Sequence, residues 1–320
     1  MTREEWLAAR RAGIGGSDIA AILGLSPWRT PLDVYRDKVD GEDQPQTEAM
    51  HWGLLLEDVV AREYARRASA RIQRINSLVR APGRDWAIAS LDRVVVPAGT
   101  RARLHDGELR GADGVLECKV VNSFSAGAWG RDDDPDAVPL HYAAQCMWYL
   151  GVTGLPWCDI AALIGGQRLI IKRVQRDEET ISAMFERAKR FWFEHVVPRI
   201  PPQPSNAREA EQAWPADNGE TLEADDELIA AYNAAREARA RIAEAERDYE
   251  AATERIKLAL GKRSALTFNG KPIVTWKATA PRQKVDYEAV IREAAVPAEI
   301  IARHTTIQPG SRRFVLKEQK

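Results

Sequence analysis

The sequence predicts a mixed α/β fold (α/β, α+β), in which a central mixed sheet is flanked by helices and followed by a helical extension. Three observations predict it. Helical patterns and apolar strand-like runs follow one another up to about residue 200 in the order helix, sheet, helix, sheet, helix, as in a compact α/β domain. A proline-rich stretch, PRIPPQPSN (198–206), then breaks the pattern. Beyond it, apolar residues recur at seven-residue steps between Asp225 and Leu260. The expected division is a first domain over 1–200, a linker over 201–220, and an extension over 221–320 holding a coiled helix and a small α+β part.

The first 30 residues read as a short helix, a glycine-rich turn and another helix. In GIGGSDIAAILG, Gly13, Gly15 and Gly16 precede Ser17, which is expected to cap a helix starting at Asp18. Free amides at such a helix start suit an anion. In SPWRTPLDVYRDK, Ser26-Pro27 marks a turn, Thr30 a cap, Pro31 the first helical position and Asp33 the third. A longer helix is expected from Met50 to about Arg71, with Leu54, Leu55, Val59 and Tyr64 near one side and Glu57 among them.

Strand-like runs follow: NSLVR, WAIASLD, RVVVPA and GVLECKVV, with an irregular or hairpin excursion between Gly99 and Gly111. VPLHYAAQCMWYL (138–150) returns to helix. DIAALIGGQRLIIKRVQRD reads as a hairpin about Gly165-Gly166, and the aromatic-rich ETISAMFERAKRFWFEHVV as the closing helix. In the extension, one heptad series is Leu228, Ala235, Ile242, Tyr249, Ile256, and the other, three positions on, is Ala231, Ala238, Ala245, Ala252, Ala259. A hairpin turning at Asn269-Gly270, a helix from about Tyr287 and a last strand, RRFVLK, are expected after it.

Composition bounds the function. Hydrophobic residues make up 45% and charged residues 29%, which excludes a disordered chain. MTREEWLAAR has charge but no apolar run behind it, so no signal peptide is expected, and no apolar segment approaches a membrane span. Cys118, Cys146 and Cys158 share no close ligand spacing, so neither a disulfide framework nor a zinc site is expected, and a reducing cytoplasm fits. The net charge of -1 argues mildly against a nucleic-acid binder. Basic residues nevertheless cluster in REYARRASARIQR (62–74), a run that reads equally as the solvated face of a helix.

The chemistry concentrates in ADGVLECKV (112–120). Glu117 and Lys119 lie two apart in an apolar strand-like run, so they share a face. Asp92 closes WAIASLD, and if that strand pairs with GVLECK, Asp92 and Glu117 can share a divalent metal, with the Cys118 carbonyl as a further oxygen ligand. Lys119 on the same face can orient water or offset phosphate charge. An isolated ExK is ordinarily a surface ion pair, and Asp113, in a turn four residues before Glu117, competes with Asp92 for the acidic role.

Four segments in register, GIGGSDIAAILGLSPWRTPLDVY, MHWGLLLEDVVAREY, LECK and HYAAQCMWYLGV, resemble the YqaJ-type viral recombinase family over roughly residues 10–155. That family is similar to phage lambda exonuclease within the PD-(D/E)xK nuclease superfamily. The resemblance implies a restriction-endonuclease-like core, and makes 1–200 an exonuclease domain that digests the 5′ strand of linear double-stranded DNA and leaves 3′ overhangs. It implies Mg2+ or Mn2+ as cofactor, two ions per site, with Asp92, Glu117, Lys119, Glu57 and Gln145 as the catalytic set and Glu57 reaching the metal directly or through water. Arg11 and Ser17 resemble the residues near the terminal 5′-phosphate, and Trp28 and Arg29 lie in a loop placed to touch DNA. A single-strand annealing recombinase is the implied partner, a homo-oligomer (a ring-shaped trimer in the lambda-like relative) the implied assembly, and the cytoplasm of a bacterial host carrying a phage or prophage the implied setting. His51 and His141 are given no metal role.

The 24 residues between Asp92 and Glu117 are long for a simple hairpin, and an insertion at RARLHDGELRG accounts for them at small thermodynamic cost. Two other readings stay open: an endonuclease using the same metal core, and a non-catalytic DNA-binding recombination scaffold. Residues 206–320 are also open as an arm that recruits a partner or sets assembly.

Overall fold

The structure, a computed structural model, describes residues 3–42, 47–130, 134, 137–306 and 312–316. It divides into two compact units, Met1–Ala213 and Trp214–Lys320.

In the first unit α1 (Arg3–Arg11), α2 (Gly16–Ile22) and α3 (Pro31–Val39) precede the long α4 (Glu48–Ala68). The strands β1 (Ile72–Gln73), β2 (Val79–Ala81), β3 (Arg84–Ala89), β4 (Arg93–Val95), β5 (Arg103–His105), β6 (Glu108–Arg110) and β7 (Gly114–Val121) follow. A 3-10 segment, Ser123–Trp129, leads into α5 (Leu140–Thr153), β8 (Trp157–Ile164), β9 (Arg168–Gln175) and α6 (Glu178–Phe191). A π-helical turn, Trp192–Val196, and α7 (Ala207–Ala213) complete the unit.

The central sheet has the order β1-β4-β7-β8-β9 and is mixed: β7 and β8 are parallel, the other neighbours antiparallel. Parallel neighbours need a crossover, and α5 supplies it. Strand alternation then divides β7 between two cores. Val115 packs in the cluster that includes Trp148 and Leu150 of α5, whereas Leu116, Cys118 and Val120 pack with Val60, Ala61 and Tyr64 of α4. Glu117 and Lys119 therefore point to the α5 side.

The expected cap of α3 is present: Thr30 Oγ1 accepts from the Asp33 amide and the Asp33 carboxylate accepts from the Thr30 amide. The cap of α2 differs from expectation. Gly15, not Ser17, is the N-cap, and the Asp18 carboxylate reaches back to the Gly15 amide at 2.9 Å. Gly16 opens the helix because it lies against α5, where a Cβ would come within 2.5 Å of the Tyr149 ring.

Asp18 is fully buried, with Lys38 at 2.7 Å and Arg29 at 3.0 Å. Burial raises its pKa, but Lys38, Arg10 and Arg29 together outweigh that and hold it well below the ordinary 3.8. A depressed carboxylate contributes stability above its unfolded pKa and loses it as pH falls toward the depressed value. Asp18→Ala strands the buried Lys38 ammonium and is expected to cost about 3–5 kcal/mol. Urea unfolding at neutral pH checks this, and a cost near zero would mean Lys38 finds water.

Four expectations give way to the structure. The inner face of α4 is Val60, Ala61 and Tyr64, while Leu54, Leu55 and Val59 are exposed, because the sheet meets the C-terminal half of that helix. WAIASLD does not pair with GVLECK: β3 pairs with β2 in a separate two-stranded sheet, and the strand beside β7 is β4. The 201–220 linker contains α7, and the first unit runs on to Ala213 because Glu209 takes hydrogen bonds from Thr30 and from the Ser205 amide, while Arg36 donates to Gln212. Residues 312–316 of RRFVLK form no strand, since they have no ladder partner among the described residues, and Lys317 lies outside these.

The expected excursion after Gly99 is a hairpin, β5–β6. The second unit holds α8 (Asp226–Leu260), the hairpin β10 (Ala265–Phe268) and β11 (Lys271–Thr275), then α9 (Tyr287–Glu293) and α10 (Ala298–Arg303). Asn269 and Gly270 both take positive φ, 50° and 76°, as their two-residue turn requires. Among the described residues no helix is long and apolar enough to cross a membrane.

Candidate active site

Of the two side chains that the sequence singled out on β7, Glu117 lines a cleft and Lys119 stands behind it, bonded to Glu117. Trp6, Arg10, Gly15, Gly16, Ser17, Ser90, Asp92, Glu117, Gln145 and Tyr149 line the cleft, with Leu78 and Ile88. Five chain segments meet there: the end of α1 with the start of α2, the residue before β2, the end of β3 with the turn to β4, β7, and α5.

Asp92 immediately precedes β4, whose first residue, Arg93, lies opposite Leu116 of β7. This register brings Asp92 beside Glu117, and Asp92 Oδ2 accepts from the Cys118 amide at 2.8 Å. Asp113 is exposed, four residues back along β7 (about 13 Å at strand rise), and its amide bonds Val95. Asp92, not Asp113, is the aspartate next to Glu117.

Glu117 is 3% exposed. Its Oε1 accepts from Lys119 Nζ at 2.5 Å and from Gln145 Nε2 at 2.7 Å, while its Oε2 is buried with no hydrogen-bond partner among the described residues. A buried carboxylate oxygen left without a donor is costly, and it is what a cation ligand looks like before the cation arrives. Lys119 Nζ also donates to Gln145 Oε1 at 3.1 Å and sits 4.9 Å from the centre of the Tyr142 ring. Gln145 thus bridges the ion pair with both ends of its amide, and its Nε2 also donates to Tyr149 Oη at 2.7 Å.

The electrostatics follow from this crowding. Burial raises the Asp92 pKa well above 3.8, and the neighbouring Glu117 raises it further against the opposing charge of Lys119. Burial works against the Lys119 charge, yet Glu117 and Asp92 overcome it and hold the ammonium above its ordinary 10.5. Two carboxylates pressed together beside one ammonium carry an excess of negative charge, which suits a divalent cation.

Among the described residues no three carboxylate, histidine or cysteine side chains converge as a ready-made cage. Glu57, the expected helical acid, is turned to Arg93 at 2.6 Å, though close enough to Asp92 to raise its pKa. Asp92 and Glu117 alone fit Mg2+, which is held by one or two carboxylates and completes its shell with water and phosphate. The Cys118 side chain packs on the α4 face. Arg93 was missed by the sequence reading. It is 4% exposed, spans Glu57 and Asp58, and was signalled by a charge opening the apolar run RVVV beside Asp92.

The residues expected at a terminal phosphate are sorted by the structure. Ser17 is exposed at the cleft, and its Oγ accepts from Arg10 Nη2 at 3.0 Å. Arg11 is not part of the lining: it donates to the Gly41 carbonyl at 2.9 Å and lies 3.8 Å from Asp37. The neighbouring Arg10 takes the cleft position instead, with its guanidinium 4.8 Å from the Trp6 ring. One step along a helix turns a side chain by about 100°, which sequence order alone does not orient. Arg29 is bound to Asp18 and Asp37, so it braces α2 against α3. Trp28 is 66% exposed and stacks edge-on against His141, 4.8 Å between ring centres, whereas Trp129 and Trp148 are core. The basic run 62–74 is largely a solvated helix face, with Arg62 paired to Asp58 and Arg66 and Arg67 to Glu63.

Comparison with known proteins places this geometry in context. Residues 5–156 match the family described as the YqaJ-like viral recombinase domain. The protein YqaJ of Bacillus subtilis (strain 168) is 34% identical over 201 residues, which are 62% of this chain and 57% of that relative, so the chain matches little more than half of its length. LHK-Exo in complex with dAMP aligns at a TM-score of 0.49 and 19% identity, over 66% of this chain and 97% of the other. The alkaline exonuclease LHK-Exo from Laribacter hongkongensis gives 0.48 and 21%, over 62% and 94%. A phage related exonuclease from Haemophilus somnus 129PT gives 0.44 and 12%, over 58% and 96%.

Proposed function

We propose, from a chain whose residues 5–156 belong to the YqaJ-like viral recombinase family, that this protein is a divalent-metal-dependent 5′–3′ exonuclease acting on linear double-stranded DNA. The observation that carries the reading is the buried, unpartnered Oε2 of Glu117 beside Asp92, with Lys119 fixed on the same strand face.

Asp92 and Glu117 would hold the metal, with the Cys118 carbonyl as a further oxygen, and Mg2+ or Mn2+ is the class of ion they suit. When bound, such an ion lowers the pKa of water and offsets charge on the scissile phosphate. The residues of the chain divide the remaining work. Glu117 and Asp92 hold the Lys119 ammonium above its ordinary 10.5, so it serves as a positive charge and hydrogen-bond donor that orients water or meets a phosphate oxygen. Gln145 holds the ammonium with its Oε1 and the Glu117 carboxylate with its Nε2. Glu57 fixes Arg93 beside Asp92. In-line attack of water on phosphorus would form a new P–O bond as the bond to the 3′ oxygen breaks; the water gives up a proton to solvent and the 3′ oxygen takes one from it, releasing a nucleotide and leaving a 5′-phosphate on the shortened strand. The 3′ overhang so produced is the substrate of a single-strand annealing recombinase, which fits a role in recombination.

Arg10 and Ser17 are the groups we assign to the terminal 5′-phosphate, since a guanidinium recognises a phosphate through charge-assisted hydrogen bonds. Arg10→Ala is expected to weaken use of a 5′-phosphorylated end by about 10- to 100-fold relative to a 5′-hydroxyl end, the worth of a hydrogen bond to a charged group. Arg11→Ala is expected to leave that ratio unchanged and to alter only stability. Competition between the two end chemistries in one tube measures both.

The functional test uses linear duplex labelled separately at its 5′ and 3′ ends, with Mg2+ or Mn2+ present or chelated, and a closed circular duplex beside it. Metal-dependent release of the 5′ label from linear DNA alone is the expected result. Cutting of circles would indicate an endonuclease, and binding without cleavage under every metal condition a non-catalytic scaffold.

A further inference from the structure

The second unit carries a surface that the nuclease reading leaves unused. α8 runs for 35 residues from a capped start, where Asp225 accepts from the Leu228 amide, and at about 1.5 Å per residue it is about 52 Å long. Of its side chains only Leu260 is buried. Leu228 is 45%, Ile242 58% and Tyr249 71% exposed, yet all three fall on one heptad series, with alanine at every position of the other. A solitary helix has no physical need for a repeating apolar seam over five heptads, whereas a paired one does.

We propose that α8 pairs with α8 of a second copy of this chain as an antiparallel two-helix coiled contact. In an antiparallel pair the first core position of one helix packs against the second core position of the other. Full overlap of the two helices sets Leu228 against Ala259, Ala235 against Ala252, Ile242 against Ala245, Tyr249 against Ala238 and Ile256 against Ala231. Four of the five layers thus join one large side chain to one alanine, so the two axes keep a nearly uniform, close separation. A parallel in-register pair would stack Ile242 on Ile242 and Tyr249 on Tyr249 between layers of paired alanines. The separation would then have to swing from layer to layer, leaving voids beside the alanines.

The charges beside the seam agree. In the antiparallel register Arg239 stands alongside Glu246 of the second copy on one flank, and Arg241 alongside Asp248 on the other. Two-fold symmetry doubles both, and no like-charged pair faces across the flanks. Through the middle of the helix the outward positions carry Arg236, Glu237, Glu244, Arg247 and Glu254, as a solvated back requires, with exposed Ile229 and Leu258 near its two ends.

The test uses the full chain. At micromolar concentration the unmodified protein is expected to sediment at twice the mass of the variant carrying Ala238→Glu with Ala245→Glu. Glutamate is a good helix former, so circular dichroism of that variant should retain its helix content. Orientation is read from cysteine pairs. Ala238→Cys mixed with Tyr249→Cys should give a disulfide-linked hetero-pair on mild oxidation, with neither variant linking to itself. A monomeric unmodified chain, or an unchanged mass in the double glutamate variant, overturns the proposal. Self-linking of Ala238→Cys overturns the antiparallel register.

Discussion

Lys119→Met is expected to lower cleavage of linear duplex by about a thousandfold, within the range for losing a positioned proton donor or charge at a reacting centre. Methionine keeps the length of the lysine stem but not its charge. The ammonium is held by Glu117, Gln145 and the face of Tyr142. Binding of DNA in chelator should change little, because the ammonium faces the reacting centre rather than the groove walls. The loss therefore falls on kcat, and single-turnover cleavage at saturating enzyme measures it. Activity within a few-fold of the unmodified protein would remove Lys119 from the chemistry.

Removing the charge of Asp92 should have two opposite effects. Burial and the neighbouring Glu117 raise its pKa above the unfolded value of 3.8. A carboxylate whose folded pKa is raised favours the folded state while it is protonated, and that contribution is lost as pH rises through the folded pKa. Above that pH the ionised Asp92 is a cost to the metal-free fold. Asp92→Asn keeps an oxygen for the Cys118 amide while removing the charge. In chelator at alkaline pH the variant is expected to be more stable by about 1 kcal/mol, which raises Tm by about 2–4 °C for a domain of this size. Added Mg2+ should reverse the order, stabilising the unmodified protein and not the variant. Cleavage should fall at least as far as for Lys119→Met. Thermal melts with and without Mg2+ decide it: a variant less stable in chelator would mean that Asp92 is not crowded as described.

The two experiments separate the two proposed roles. If Lys119 acts on the substrate, its substitution should leave the magnesium-dependent shift in Tm in place. If Asp92 acts through the cation, Asp92→Asn should abolish both the shift and the cleavage.

Much of this was legible in the sequence because it is local. Two charges two residues apart share one face of any strand, so Glu117 and Lys119 were bound to meet once GVLECKVV was read as β7. Thr30, Pro31 and Asp33 specify a helix start through contacts within four residues, and Asn269-Gly270 specifies its hairpin turn in the same way. The seam of α8 is likewise periodicity alone.

What the sequence left open is whatever depends on the direction in which a side chain points in a packed molecule. Arg10 and Arg11 are equivalent in the text of the chain, and only the docking of α1 beside α3 sends Arg11 to Asp37 and Arg10 into the cleft. Leu54, Leu55 and Val59 look like an inner face until the sheet selects Val60, Ala61 and Tyr64. The strand partner of β7 is chosen across a long excursion, where pairing RVV rather than WAIASLD moves Asp92 from the end of one strand to the threshold of another. Near-neighbour signals alone specified the shared face of Glu117 and Lys119, the Thr30 helix start, the Asn269-Gly270 turn and the heptad of α8, because these rest on contacts between residues close in the chain. Tertiary structure decided which arginine enters the cleft, which aspartate stands beside Glu117 and where the first unit ends, because burial and charge pairing are settled only between segments that the chain brings together from far apart.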